Sequence, residues 1–389
     1  MALQPYKGAN TAQYYVLETT PGVTPTNPAW SILRNTGGIP AVTRDALVSN
    51  ELDGSRETSS IRTGNKQVTG EFAIEFGPRS QDELLAGAMT SSWVAGFTSA
   101  SIQVAVSAPA KTFTRSTGSF ITDGVTVGDL VQFPDLPGNN GKPFIVTAVT
   151  ATVVTGAAIQ EPLTTAAAAD TVYKIADSLE TGNLCKSYSV LTWFKGKCGV
   201  PDSYLLTKGV EFTGFTIEQA VNAMVTGSFP FIGLSQEVLS AYPAGSTFPS
   251  EAKRDPFSSV DVSAYNGTAP LKLMDTFTIT NDNGASAQFE LGNDSAAFVE
   301  RAKAANTFSL AGKLYDMTLL NLFLNETQIE LTSVLENQGG AMSFTLKRAE
   351  LTSATPEIGG PESVTLSLEG QATGNAMQSS IVIQRIAYA

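Results

Sequence analysis

The chain has 389 residues, of which 42% are hydrophobic but only 15% charged, against about 25% charged in an average soluble domain. Such a length has room for about two or three domains, and the low charge hints at surface buried in assembly. With 24 basic and 36 acidic residues the net charge is −12, and Lys253–Arg254 is flanked by Glu251 and Asp255, so no basic patch suited to gripping nucleic acid is visible.

In chain order, the first distinctive stretch is the polar segment Asp45 to Gln67, preceded by Arg44 and carrying Glu51, Asp53, Arg56, Glu57, Arg62 and Lys66. Polar loops this long in compact domains are functional or disordered. Glu71-Phe72-Ala73-Ile74-Glu75-Phe76 then alternates with period two, as a half-buried strand does. Ser80 to Ala86 reads as an N-capped helix with acids in its first turn. Residues Ser101 to Ile175, rich in Thr, Val and Ala with repeated turn signals, read as a small inserted all-β module. Tyr242 to Ser259 is rich in Pro, Gly and Ser and reads as a linker.

Alternation returns at Thr276–Thr280, Thr327–Val334, Ser343–Leu346 and Ser363–Leu368. Helices are expected from Asp294-Ser295 through Phe298 and Val299 to Lys303, and from Asp316 through Leu324, where Leu319, Leu320, Phe323 and Leu324 share an apolar face. A weak internal repeat links the strand at Val68–Phe72 to Leu310–Leu314. It also links Ser187–Leu191 to Met342–Leu346, and Val225–Phe229 to Val364–Leu368. The expected fold is mainly β: two antiparallel sandwich or barrel domains, each with a flanking helix, plus the inserted module. The domains are residues 1–100 with 176–241, the module 101–175, a linker 242–260, and 261–389.

The stretches Glu51–Arg56, Arg62–Gly70 and Asp82–Leu85 with Trp93 resemble the N-terminal signature of siphophage major tail tube proteins. Ser187–Val190, Tyr204–Gly214 and Val225–Gly233 are similar to the second part of that signature, and Leu273–Ala372 to the closing region. The resemblance implies tail-tube β-sandwiches that join edge to edge into rings, stacked into a tube. Its lumen would hold the tape-measure protein and conduct DNA during ejection, and tail terminator and distal tail proteins would be partners.

Two such domains per chain imply a trimeric, pseudo-sixfold ring, with a hexamer as the alternative. The tube would be assembled in the bacterial host cytoplasm and reside in the virion tail. The candidate lumen-facing residues are Glu71, Ala73 and Glu75 in one half and Ser363, Thr365, Ser367 and Glu369 in the other. The candidate inter-ring loop carries Arg44, Glu51, Asp53, Arg56, Glu57, Arg62 and Lys66.

Enzyme chemistry finds little foothold. Histidine is absent, which removes Ser-His-Asp and Cys-His systems and His metal sites. Cys185 and Cys198 are too few for a disulfide framework and are read as reduced thiols. Asn281-Asp282-Asn283-Gly284 lacks a correctly placed downstream acid for calcium and is read as a turn. No P-loop or dinucleotide motif occurs, and no cofactor or catalytic residue is expected. Trp30, Trp93 and Trp193 are read as core or interface anchors. No apolar run approaches the roughly 20 residues that span a bilayer, and Met1–Asn10 carries no signal pattern, so a soluble chain without membrane insertion is expected. The competing readings are another virion or cell-surface β-protein, such as a decoration protein or adhesin, and a β-sandwich carbohydrate enzyme.

Overall fold

The computed structural model describes residues 5–51, 56–139, 141–158, 163–250, 255–375 and 378–387. Asp53, Glu251, Lys253 and Arg254 lie outside them. The principal elements are β1 (Thr11–Leu17), β2 (Ala41–Val48), β3 (Ile61–Glu75), α1 (Asp82–Ala88), β4 (Tyr188–Phe194), β5 (Ser203–Phe212), β6 (Gly214–Ala220), β7 (Thr226–Gly233) and β8 (Ser235–Leu239). They continue as β9 (Val262–Asn266), β10 (Met274–Asp282), β11 (Ala305–Lys313), α2 (Thr318–Leu324), β12 (Ile329–Asn337), β13 (Gly340–Glu357), β14 (Thr365–Ala372) and β15 (Ile381–Ala387).

Alternating sequences such as Phe72-Ala73-Ile74-Glu75 bury one face and expose the other, so they pair laterally into sheets. One continuous antiparallel sheet runs β2-β3-β7-β6-β10-β11-β14-β13. Behind it lie two outer layers, β1-β4-β5-β8 and β9-β12-β13-β15. The strand β13 serves both layers: residues 340–349 pair with β12 or β15, and residues 349–357 pair with β14. Between the layers sits a core including Phe72, Ile74, Phe229, Ile279, Phe308 and Leu368.

The second half repeats the first, element for element. Phe76 N–H donates to the Val225 carbonyl at 2.8 Å, as Leu314 N–H does to Val364 at 2.9 Å. Thr216 faces Ser228 as Thr355 faces Ser367, and Tyr14 faces Leu191 as Tyr265 faces Thr332. Each half carries a bulge at an equivalent dipeptide, Lys208-Gly209 and Lys347-Arg348, whose second residue has φ of 67° and 49° respectively. These pairings correct two expected matches. Val68–Phe72 corresponds to Asn306–Leu310, not Leu310–Leu314, since Glu75 faces Thr226 as Lys313 faces Thr365. Ser187–Leu191 corresponds to β12, and Met342–Leu346 to the β5 residues 203–207, because period-two patterns look alike and only the hydrogen-bonding partners tell strands apart.

Two other expectations change. Residues 294–303 form no helix: Ala296–Glu300 is a strand hairpinned to Ser286–Phe289, and Phe298 is exposed, so no apolar stripe exists to hold a helix down. Segment 45–67 is largely a β2–β3 hairpin arm, with ladder pairs from Ala41↔Thr69 to Val48↔Ile61. The helices near Ser80 and Asp316 are present. α1 starts one residue after Gln81, leaving Ser80 Oγ to accept a bond from Arg34, and the Asp316 carboxylate accepts the Thr318 N–H at 2.8 Å.

Residues 102–175 build a separate seven-stranded sheet around stacked Phe113, Phe133 and Phe144. Its Leu130 and Ile145 pack on Val334, Ala341 and Ile386 of the second outer layer, and Leu130 N–H donates to Gln384 Oε1 at 2.9 Å. That cover explains why β12 and residues 340–346 of β13 are buried on both faces rather than half-buried. The equivalent outer layer of the first half is covered by the chain that follows β8. Phe248 lies against Tyr14, Trp30 and Trp193, and Tyr242 against Trp193 and Tyr204. Trp93 packs beneath the Arg385 guanidinium at 4.0 Å.

Candidate functional site

The outward face of the eight-stranded sheet carries polar rows of side chains, with Lys313 exposed opposite Thr365 at one end. One cross-strand row reads Glu75, Thr226, Glu218, Thr278, Ser309, Glu369 and Ser353, each opposite the next. The neighbouring row reads Ala73, Ser228, Thr216, Thr280, Thr307 and Gln371. The first row intersperses carboxylates with hydroxyls, the second holds hydroxyls, one alanine and one amide, and neither row contains a cation. Because side chains alternate across a strand, the same strands send Ile74, Ile217, Ile279 and Phe308 into the core.

Glu71, Ala73, Glu75, Thr365, Ser367 and Glu369 all lie exposed on this outward face, and Ser363 is exposed just before β14. Sequence reasoning missed Thr216, Glu218, Thr226, Thr278 and Ser309 on the same face. The alternation Phe215-Thr216-Ile217-Glu218 carried the signal, but it does not say which strand lies beside it.

The sheet has close backbone packing behind its outward face. A Cβ on Gly70 would lie 2.5 Å from the Phe231 ring, and a Cβ on Gly370 would lie 2.4 Å from the Phe308 ring and 2.3 Å from the Glu350 carbonyl. Each glycine thus opens room for a phenylalanine on the adjacent strand. At the back of the sheet, Glu211 pairs with Arg301 at 2.5 Å. Burial pushes its carboxyl above the usual range, and the guanidinium opposes that shift. Of residues 281–284, Asn281 and Asp282 end β10 and do not form a turn; Asn283 Nδ2 donates to the Ala88 and Phe212 carbonyls and Asp282 Oδ1 accepts the Gly284 N–H at 2.8 Å.

The charged arm beyond the sheet is partly engaged already. Arg44 and Lys66 face each other across the hairpin, and Lys66 forms an ion pair with Asp294 on the hairpin of the second half. The ammonium holds the Asp294 carboxyl below the usual carboxylate range. Arg44, Glu51, Arg56, Glu57 and Arg62 are exposed. Among the described residues no cluster of three or more His, Cys, Asp or Glu could hold a metal, and no helix is long and apolar enough to cross a membrane. Cys185 and Cys198 are both exposed and unbonded.

A mainly β architecture with a broad polar sheet and open strand edges defines a class of β-protein whose edges can accept a further strand. The description "phage tail tube protein" matches residues 8–372. The chain belongs to the phage tail tube protein family, which makes it a structural component of a viral tail. No curated protein matches the chain.

Proposed function

We propose that this chain is the ring-forming subunit of a siphophage tail tube and that the outward face of the eight-stranded sheet lines the lumen. Three copies, each contributing two repeated halves, close a pseudo-sixfold ring, and rings stack into the tube. The halves are residues 1–100 with 176–241 and residues 261–389, residues 101–175 form an outer decoration, and 242–260 join the halves. The observation that carries the reading is the unbroken polar row from Glu75 to Ser353 across both halves. Carboxylates and hydroxyls there repel phosphate or leave it unbound, so DNA slides past without sticking, and the tape-measure protein occupies the bore beforehand. The role is structural, not enzymatic. Assembly takes place in the host cytoplasm, with terminator and distal tail proteins closing the tube's ends. The hairpin arm at 44–66 reaches the next ring.

Electron microscopy of the purified protein tests this: hollow tubes or stacked rings are expected, and mass measurement of one isolated ring should return three copies. A protein that stays monomeric under all assembly conditions would end the reading, and a ring of six chains would end the pseudo-sixfold part of it.

A further inference from the structure

The two halves of the chain meet along one seam, where β6 pairs antiparallel with β10 from Gly214↔Asp282 to Ala220↔Thr276. The repeat contains the same two edges a second time without a partner strand, the Gly38 carbonyl on one of them accepting from Gln13 Nε2 at 2.8 Å. Residues 353–359 stand where β6 stands, since Glu357 faces Thr365 as Glu218 faces Thr226. Residues 37–43 stand where 276–282 stand, since Ala41 faces Thr69 as Thr280 faces Thr307. Among the described residues, β2 pairs only with β3, and the 353–357 portion of β13 only with β14.

We infer that the internal seam is the template for the join between copies: residues 353–359 of one chain pair antiparallel with residues 37–43 of the next. The register follows from the repeat. Ser353 lies opposite Thr43, Thr355 opposite Ala41 and Glu357 opposite Ile39. This inference rests on the tube reading and adds to it the partner strands and their register.

A second feature points to the same occupant. α1 lies beside the internal seam and is buried, with Leu84 only 1% exposed, whereas α2 lies beside the open edge and leaves Met317 55% and Leu324 66% exposed. At the end of the edge, Ile358 is 80% exposed while its equivalent, Gln219, is 3% exposed and bonded to Ser333 of the other half. The second half therefore displays, uncovered, the surface that the first half buries against its neighbour. Apolar groups in that position want a copy of the same neighbour.

The open edges also differ from the internal seam in one respect. Where the internal seam sets Ile217 opposite Ile279, the edges carry Pro356 and Pro40. Proline has no N–H, so that rung has no backbone donor, and the Pro40 carbonyl is already capped by Gln236 Nε2 at 2.9 Å. Proline on a free edge blunts indiscriminate pairing. The join between copies then draws on α2 and Ile358 for what its ladder lacks, and it forms only when the whole surface fits.

The register is tested by disulfide trapping in a background with Cys185→Ser and Cys198→Ser. Thr216 and Thr280, the internal counterparts of the test pair, touch through their hydroxyls at 3.3 Å, so Ala41→Cys with Thr355→Cys should link neighbouring chains upon mild oxidation of assembled tubes. Ala41→Cys with Ser353→Cys, displaced by two residues, should not. Equal linking from both pairs, or none from the first in intact tubes, overturns the register. Amide exchange on the unaltered protein provides an independent readout: residues 37–43 and 353–359 should slow together at least tenfold upon assembly. Tubes that form while both segments exchange as in the free subunit refute the seam but leave the tube reading standing. Failure of the unaltered protein to assemble refutes both.

Discussion

At the scale of single residues, the outward carboxylates and the glycines behind them make the sharpest claims. Glu75, Glu218 and Glu369 share one row of the sheet. Replacing all three by Lys should leave folding intact, because they are exposed, yet turn a surface that ignores DNA into one that holds it. Retention of short duplexes by assembled tubes should appear in the triple variant and fall steeply with salt, as counterion release requires. Wild-type tubes should retain none.

Gly370→Ala should cost about 1–3 kcal/mol, read as a lowered denaturation midpoint, since the new methyl meets both a backbone carbonyl and a ring. Gly70→Ala should cost less, because only the Phe231 ring has to move. The inserted sheet carries a pH-sensitive contact. Arg115 at 2.7 Å and the Tyr173 hydroxyl hold the Asp123 carboxyl below its ordinary value. A depressed carboxyl contributes stability that is present above its unfolded pKa, about 3.9, and is lost as pH falls through the folded value. Urea melts between pH 6 and pH 3 should therefore show a loss of stability at the acid end that Asp123→Asn diminishes.

At the scale of elements, the two helices occupy equivalent places and meet different surroundings. Leu84→Ala in α1 removes a fully buried side chain and should destabilise the subunit by about 2–5 kcal/mol. Leu324→Ala in α2 should change subunit stability by no more than about 0.5 kcal/mol but raise the concentration needed for assembly, measured by sedimentation. The hairpin arm invites a charge test as well. Single exposed ion pairs contribute only about 0–1 kcal/mol, so the arm's share in stacking must come from repetition around the ring. Reversing Arg56 and Arg62 together should shorten tubes or leave single rings in electron micrographs. Tubes of normal length would remove the arm from the stacking contact.

For the whole molecule, the inserted sheet is a cover as well as an attachment. Deleting residues 101–175 should spare the two-layer fold, whose core contains none of those residues, but it bares Val334, Ala341 and Ile386. The shortened chain should assemble yet aggregate at lower concentration, and polar replacements at Val334 and Ile386 should restore solubility. Loss of cooperative melting on deletion would mean the sheet is part of the folding unit.

Much of this was legible in the residues. Phe72-Ala73-Ile74-Glu75 and Thr365-Leu366-Ser367-Leu368 declare strands with one polar and one apolar side, because side-chain direction alternates at every peptide unit whatever the strand lies beside. The acids and hydroxyls of the outward face follow from that pattern, and the helix at Leu319 to Leu324 follows from apolar residues spaced at the helical period. Pairing followed from the folded chain alone. That β6 lies against β10, that Ala296–Glu300 joins a hairpin instead of a helix, and that an inserted sheet buries the second side of β12 all depend on segments far apart in the chain meeting through backbone hydrogen bonds. Every residue except proline offers the same such groups, so a local run of side chains states what a strand's faces want and leaves open which strand will satisfy its edge.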